Sequence, residues 1–343
     1  MYSLDEIGLI PATISDIKSR KEVNPFVIDE TSKEEKLPVF VSPMTCIVNA
    51  NNIQKYSDNK FIPILPVTPK NFWKRGEYKD EFNLPRYWTG WEACTLDEFK
   101  KYFIQDTIPE SEDLTGILPY YILLDVANGH MKQLFDLVKQ AKDEYGSAMK
   151  IMIGNIANPE TYLECVDAGV DYVRVGIGGG SGCTTSVQTG IHASMSWILD
   201  WIPAIKEAHK LNGRTDIPKV IADGGITTIS RAIKCLALGA DYVMMGKAFA
   251  ECNDINGKKV KKNHYYGQSS PQGQLDRFGE VKSNPEGTDL WVPCTTNLAE
   301  FSTKFEAALR SAMSYTNART LDEFIGKVRY DFMSPDEYRA YNK

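Results

Sequence analysis

The chemistry in this chain gathers around one cysteine. Residues 175–185 read VGIGGGSGCTT, which sets Cys183 among five glycines. A thiol attacks as its thiolate, and a loop dense in backbone N–H groups favours that form. Glycine accepts positive φ and close backbone approach, so successive N–H groups can converge on an anion. An ordinary turn needs one or two glycines. Five of them beside a serine and a cysteine mark a nucleophile in an anion-binding loop. A dinucleotide-fold reading of GIGGGSG is weaker, because the following CTTSVQTG is a poor helix former. The other cysteines, Cys46, Cys94, Cys165, Cys235, Cys252 and Cys294, show no CxxC and no zinc-like spacing. They read as reduced, mostly buried small hydrophobes.

Further clusters could serve a ligand of that nucleophile. Asp223-Gly224-Gly225 follows an apolar run, so its carboxylate can accept two ribose hydroxyls while the glycines admit a phosphate. Gly246-Lys247 ends the next run, and with Ser181 these residues describe a phosphate cradle. Tyr265-Tyr266-Gly267-Gln268-Ser269-Ser270 offers a phenol for a phosphate and backbone groups for a base. Asp125-Val126-Ala127-Asn128-Gly129 ends another apolar run, and its acid reads equally as a helix cap. Glu286, in Pro285-Glu286-Gly287, reads by itself as a turn acid. His130, His192, His209 and His264 have no metal-binding spacing.

Composition narrows the classes. With 43% hydrophobic residues, a disordered chain is excluded. No apolar run reaches the roughly 18 residues of a membrane span. Acidic residues in the opening MYSLDEIGLI argue against a secretory signal, so a cytoplasmic protein is expected. A net charge of −6 argues against a nucleic-acid partner.

These residues need a scaffold that brings distant loops together. Eight short apolar runs are candidate strands: Leu37–Ser42, Phe61–Val67, Tyr87–Ala93, Tyr120–Ala127, Lys150–Ile156, Tyr172–Gly178, Val220–Gly225 and Tyr242–Ala248. Most are continuously hydrophobic, as parallel strands covered on both faces are. Helical patterns fall between them at Met131–Asp143, Pro159–Ala168 and Ile229–Ala237. Strand, helix and strand in alternation predict an α/β fold, a (β/α)8 TIM barrel forming one domain over residues 1–343. Its chemistry sits past the C-terminal strand ends, where every cluster above falls. Two stretches break the repeat. One is Asn71–Asp80 (NFWKRGEYKD); the other is a flap at about residues 250–292, followed by a helix over 298–315.

Taken together, SPM (Ser42–Met44), DVANGH (Asp125–His130), GIGGGSGCTT, ADGGI (Ala222–Ile226), VMMGKAFA (Val243–Ala250), YYGQSS, PEG and LRSAMSY (Leu309–Tyr315) resemble the IMP dehydrogenase/GMP reductase family. The blocks occur in the family's order from residue 37 onward. The resemblance implies that Cys183 attacks purine C2 to form a covalent thioimidate. Thr185 and Glu286 would handle the proton of the leaving ammonia or attacking water. Ser181, Gly224, Gly225, Gly246, Lys247 and Tyr266 would hold the 5′-phosphate, and Asp223 the ribose. Gly267, Gln268 and Ser269 would meet the base. A nicotinamide cofactor, NADP or NAD, would lie across Asp125, Val126, Ala127, Ile177 and Gly178. Carbonyls of Gly178, Gly180 and Cys183 match the family's potassium site. A homotetramer is implied as well.

Within the family, DVANGH and the lack of an inserted regulatory domain pair are similar to the reductase branch. PEG is similar to the dehydrogenase branch, as is Arg277 in Asp276-Arg277-Phe278, although Phe278 lacks the hydroxyl of that branch's Arg-Tyr pair. Thr45-Cys46, Ser186 and Gln268 replace the family's Asp-Thr, Arg and Met. The resemblance therefore implies GMP reductase, with IMP dehydrogenase as the alternative and a shifted purine nucleotide as a further option. Two rivals share the fold: a flavin-linked barrel oxidoreductase, and a nucleotide-binding barrel without catalysis.

Overall fold

The apolar runs become the staves of a closed barrel. The computed structural model describes residues 2–68, 90–105, 120–126, 128–180, 182–257, 259–281 and 287–341. Its parallel strands are β1 (Val39–Val41), β2 (Ile62–Leu65), β3 (Trp91–Cys94), β4 (Tyr120–Asp125), β5 (Met149–Ile156), β6 (Tyr172–Val175), β7 (Lys219–Asp223) and β8 (Tyr242–Met245). Each pairs with its neighbour in sequence, and β8 closes on β1. The barrel expected from the sequence is therefore present, with shorter staves except β5, which begins one residue earlier than expected. β6, β7 and β8 stop before Gly176, Gly224 and Gly246, because the glycines leave the ladder and become loops. β3 lies later than expected. Asn71–Asp80 and Tyr87–Thr89 fall outside the described residues.

Side chains alternate across each stave. Inward, Phe40, Trp91, Tyr121, Met152, Tyr172 and Tyr242 fill the barrel. The Trp91 ring meets Tyr172 edge-on at 4.9 Å and Tyr121 at 5.3 Å. Below them, Glu30 caps the N-terminal mouth: Tyr121 donates to its carbonyl at 2.8 Å and Tyr172 to its carboxylate at 2.9 Å.

The helices include α1 (Ile53–Asp58), α2 (Lys132–Tyr145), α3 (Pro159–Asp167), α4 (Thr185–Thr189), α5 (Met195–Leu211), α6 (Ile229–Leu238), α7 (Pro271–Phe278) and α8 (Leu298–Tyr315), of which α4 and α7 contribute residues to the cavity at the C-terminal strand ends. Side-chain caps set the starts: Asn158 for α3, Thr228 for α6 and Asn297 for α8. In α8, Phe301, Phe305, Leu309 and Met313 recur at one helical face and are buried. α4 corrects the expectation for CTTSVQTG. Its intrinsic propensity is poor, but Thr189 Oγ1 donates to the Thr185 carbonyl at 2.6 Å, and Gln188 reaches Thr184 at 3.0 Å. Those local bonds hold one turn of helix, which Gly190 ends at φ +73°.

The described part of the flap carries regular elements. β9 (Lys262–Tyr266) and β10 (Asp289–Pro293) form an antiparallel hairpin, with α7 between them.

Candidate active site

The strand ends converge on a cavity of about 260 Å³. Cys183 lines it, half-buried, on the loop after β6. A short turn fixes that loop, with Cys183 N–H donating to the Gly180 carbonyl at 3.0 Å. The thiol lies 3.3 Å from Thr185 Oγ1, near enough to pass a proton to the hydroxyl that opens α4. The flap closes over this loop main chain to main chain. Thr288 N–H donates to the Gly182 carbonyl at 3.1 Å, and Cys183 bridges to Gly287. A Cβ on Gly267 would stand 2.8 Å from that Gly182 carbonyl, so only glycine allows the approach.

Beside the thiol runs a buried charge network. Arg174, pointing up from β6, donates to Asp125 at 2.9 Å through Nη1. Its Nη2 and Nε reach Asp223 Oδ2 at 2.9 and 3.2 Å. Asn155 adds a third donor to the same oxygen at 2.9 Å. Asp125 also receives Arg277 of α7, at 3.1 Å on Oδ2 and 2.9 Å on its carbonyl. Burial alone would raise the Asp125 carboxyl, but Arg277 and Arg174 outweigh it and hold the group below its usual value. Arg174 is likewise held above its usual value against burial, by Asp223 and Asp125.

At the far end of the cavity the chain turns through Gly224 (φ +101°) and Gly225 (φ +73°). Among the described residues, the N–H groups of Gly224, Gly225, Ile226 and Lys247 donate to no backbone carbonyl outside regular elements. Such amides facing one concavity suit an anion.

Most residues singled out from the sequence come together here. Asp125, Val126, Ile177, Gly178, Gly180, Thr185, Asp223, Gly224, Gly225, Gly246, Lys247, Gly267, Gln268 and Ser269 line the same cavity as Cys183. Ser181, Ala127 and Glu286 lie outside the described residues. Tyr266 does not face the cavity; its hydroxyl bonds to the Asp276 carboxylate. Tyr265 lines the cavity instead, because adjacent strand residues face opposite sides. Sequence reasoning placed Asn155 at a strand end, where it does line the cavity, but passed over Arg174. A charged residue in the apolar run YVRV was the available signal for Arg174. His130 is satisfied by Thr161 at 3.0 Å and the Ala157 amide at 3.0 Å, in line with a structural role.

For a cation, the Gly178 carbonyl accepts Ser186 Oγ at 3.3 Å and the Gly180 carbonyl accepts Cys183 N–H. Each of these two carbonyls keeps a second lone pair that a cation could take. No group of three His, Cys, Asp or Glu suited to a metal occurs among the described residues. No helix among them is long and apolar enough to cross a membrane.

A family model described as "IMP dehydrogenase / GMP reductase domain" matches residues 106–339. The chain belongs to the IMP dehydrogenase/GMP reductase family. Its members are NAD(P)-dependent purine nucleotide oxidoreductases. A GMP reductase of Pediococcus pentosaceus is 31% identical over 339 residues, 96% of this chain and 95% of that protein. An inosine-5′-monophosphate dehydrogenase of Chlorobaculum tepidum is 35% identical over 226 residues, 61% of this chain. The chain spans 44% of that dehydrogenase and 56% of one from Borreliella burgdorferi, which is 32% identical.

Proposed function

We propose that this chain is a GMP reductase, converting GMP and NADPH to IMP, NADP and ammonia. One observation carries the reading. The half-buried Cys183 thiol, the Asp223 carboxylate and the amides of the glycine turn, which donate to no backbone carbonyl among the described residues, share one cavity. That spacing suits a ligand with a phosphate at one end and an electrophilic ring carbon at the other.

In this reading Ser181, Gly224, Gly225, Gly246 and Lys247 hold the 5′-phosphate, with the phenol of Tyr265 in the place first given to Tyr266. Asp223 takes the ribose hydroxyls on Oδ1, since Oδ2 is committed to Arg174 and Asn155. Gly267, Gln268 and Ser269 face the base. Cys183 adds to purine C2 as the ring nitrogen takes a proton. The 2-amino group then leaves as ammonia, its proton supplied through Thr185 and Glu286, and the thioimidate remains. Splitting one substitution into addition and reduction lowers each barrier. The seated flap excludes water that would hydrolyse the intermediate.

When bound, the nicotinamide supplies the hydride that displaces the sulfur. Val126, Ile177 and Gly178 line the wall that would hold it, and they fit an apolar ring. Both Asp125 oxygens are occupied by arginines, so Arg277 must withdraw before that carboxylate meets a cofactor ribose. Potassium on the Gly178, Gly180 and Cys183 carbonyls would stiffen the nucleophile loop. Assembly as a homotetramer belongs to the same reading.

The alternative, IMP dehydrogenase, draws on Arg277, which enters the cavity from the flap as a group able to orient water. Phe278, with no hydroxyl, gives that arginine no proton partner. Purified protein with GMP and NADPH, or with IMP and NAD, is followed at the reduced-nicotinamide absorbance. Loss of NADPH with GMP supports the reductase. Gain of NADH with IMP transfers the assignment to the dehydrogenase, and no change in either refutes both.

A further inference from the structure

The turn at Gly224–Gly225 is backed by space rather than by packed side chains. A second cavity, of about 440 Å³, lies behind it, between Gly224, Gly225 and the segment Tyr2–Glu6. A strut crosses this gap. Arg231, in the first turn of α6, donates through Nη1 to the Gly225 carbonyl at 2.8 Å. The other edge of its guanidinium grips Asp5: Nε reaches Oδ1 at 2.8 Å, and Nη2 bonds Oδ2. The planar fork lets one side chain serve both partners at once.

Asp5 is itself well anchored. Lys234 Nζ donates to the Leu4 carbonyl at 2.9 Å, and Ser196 Oγ to that of Tyr2. Tyr2 OH reaches Asp200 at 2.8 Å, and Met333 N–H donates to the Glu6 carbonyl at 2.8 Å. The Asp5 side chain is only 16% exposed and that of Arg231 30%.

A trans peptide points its C=O and N–H in opposite directions. The Gly225–Ile226 bond is not among the cis peptides. Holding the Gly225 carbonyl toward Arg231 therefore aims the Ile226 N–H the other way, into the first cavity, which Gly225, Ile226 and Thr227 line. The Gly225 carbonyl also accepts Thr227 N–H at 3.1 Å, which fills its second lone pair.

We propose that Asp5 and Arg231 are positioning residues for the 5′-phosphate: the pair orients the Gly225–Ile226 peptide so that its amide meets the phosphate. This rests on the nucleotide reading above. The phosphate end of the site is set from behind, by a segment far away in sequence.

The test separates phosphate binding from folding. Titration calorimetry measures IMP and inosine on the wild type, on Arg231→Leu, and on the charge exchange Asp5→Arg/Arg231→Asp. The exchange restores an ion pair, but a carboxylate cannot donate to the Gly225 carbonyl. Arg231→Leu is expected to weaken IMP about tenfold, the effect of losing roughly one charge-assisted bond, and to leave inosine unchanged. The exchange is expected to regain the melting temperature but not the IMP affinity. If the exchange restores both, the pair is a staple only and the proposal fails. Equal weakening of IMP and inosine also overturns it, as does an unchanged IMP affinity. A wild type that binds IMP no tighter than inosine refutes the nucleotide reading instead, and the proposal with it. Should Arg231→Leu not fold, the exchange carries the decision alone.

Discussion

Replacing Arg174 with methionine removes the cation at the centre of the charge network while keeping most of the side-chain volume. Three charge-assisted bonds disappear, two to Asp223 and one to Asp125, all between groups at most 14% exposed. Breaking a buried pair by deleting one partner costs about 3–5 kcal/mol, since the remaining charge stays buried. Arg277 still supports Asp125, which places the loss near the lower end. For a chain of 343 residues that is on the order of 4–6 °C in melting temperature. The pH dependence is the sharper readout. The Asp125 carboxyl is held low, so its stabilisation is present above the unfolded value, about 3.9, and is lost as pH falls through the folded value. Without Arg174 that folded value rises, and the variant takes up its proton at higher pH than the wild type. The Asp125 part of the stability gap is therefore full at neutral pH and closes as pH falls below about 4, through the wild type's folded value. Denaturant unfolding across that range measures it. A gap that stays constant with pH would show that packing rather than charge carries the loss, and the reasoning fails.

Further outcomes follow from the same geometry. Cys183→Ser should cut turnover by about three orders of magnitude or more, while IMP affinity stays within about threefold; mass spectrometry should lose the nucleotide adduct. Iodoacetamide at about pH 8 should label Cys183 ahead of Cys46, Cys235 and Cys252, whose thiols burial pushes up to about 12; peptide mapping shows the order. Gly225→Ala puts a Cβ 2.9 Å from the Gly179 carbonyl at φ +73°, so a loss of about 1–3 kcal/mol in stability and weaker IMP binding are expected by melting and calorimetry. Thr45→Val deletes the 2.8 Å bond to Asp276 that ties the loop after β1 to α7. Proteolysis within the flap should quicken about fivefold, matching roughly one hydrogen bond.

The scaffold was legible because its signals are local. Continuous apolar runs mark buried parallel staves, and the glycines after β6, β7 and β8 punctuate their ends. Cys183, Asp223 and Gly246 were legible for the same reason: each stands where a stave must stop. Residues that work through distant partners were not. Arg174 looks like an isolated charge until Asp125 and Asp223, each 49 positions away, arrive beside it. The choice between Tyr265 and Tyr266 turned on which face of β9 looks inward, which only the hairpin's pairing decides. Asp5 and Arg231 are 226 positions apart, and nothing local hints at their union.

The flap meets the nucleophile loop through backbone atoms at Gly182, Gly267, Gly287 and Thr288. Seating at these four positions does not depend on side-chain identity but is intolerant of any added carbon at the glycines, whereas the Thr45–Asp276 and Arg277–Asp125 contacts hold the flap through side chains. Evolution can therefore rewrite what Ser269 presents to a base without disturbing these backbone contacts, whereas the Gln268 amide, which donates to the Pro43 carbonyl, is itself part of the docking. A single architecture can sample new ring substituents this way, at low mutational risk.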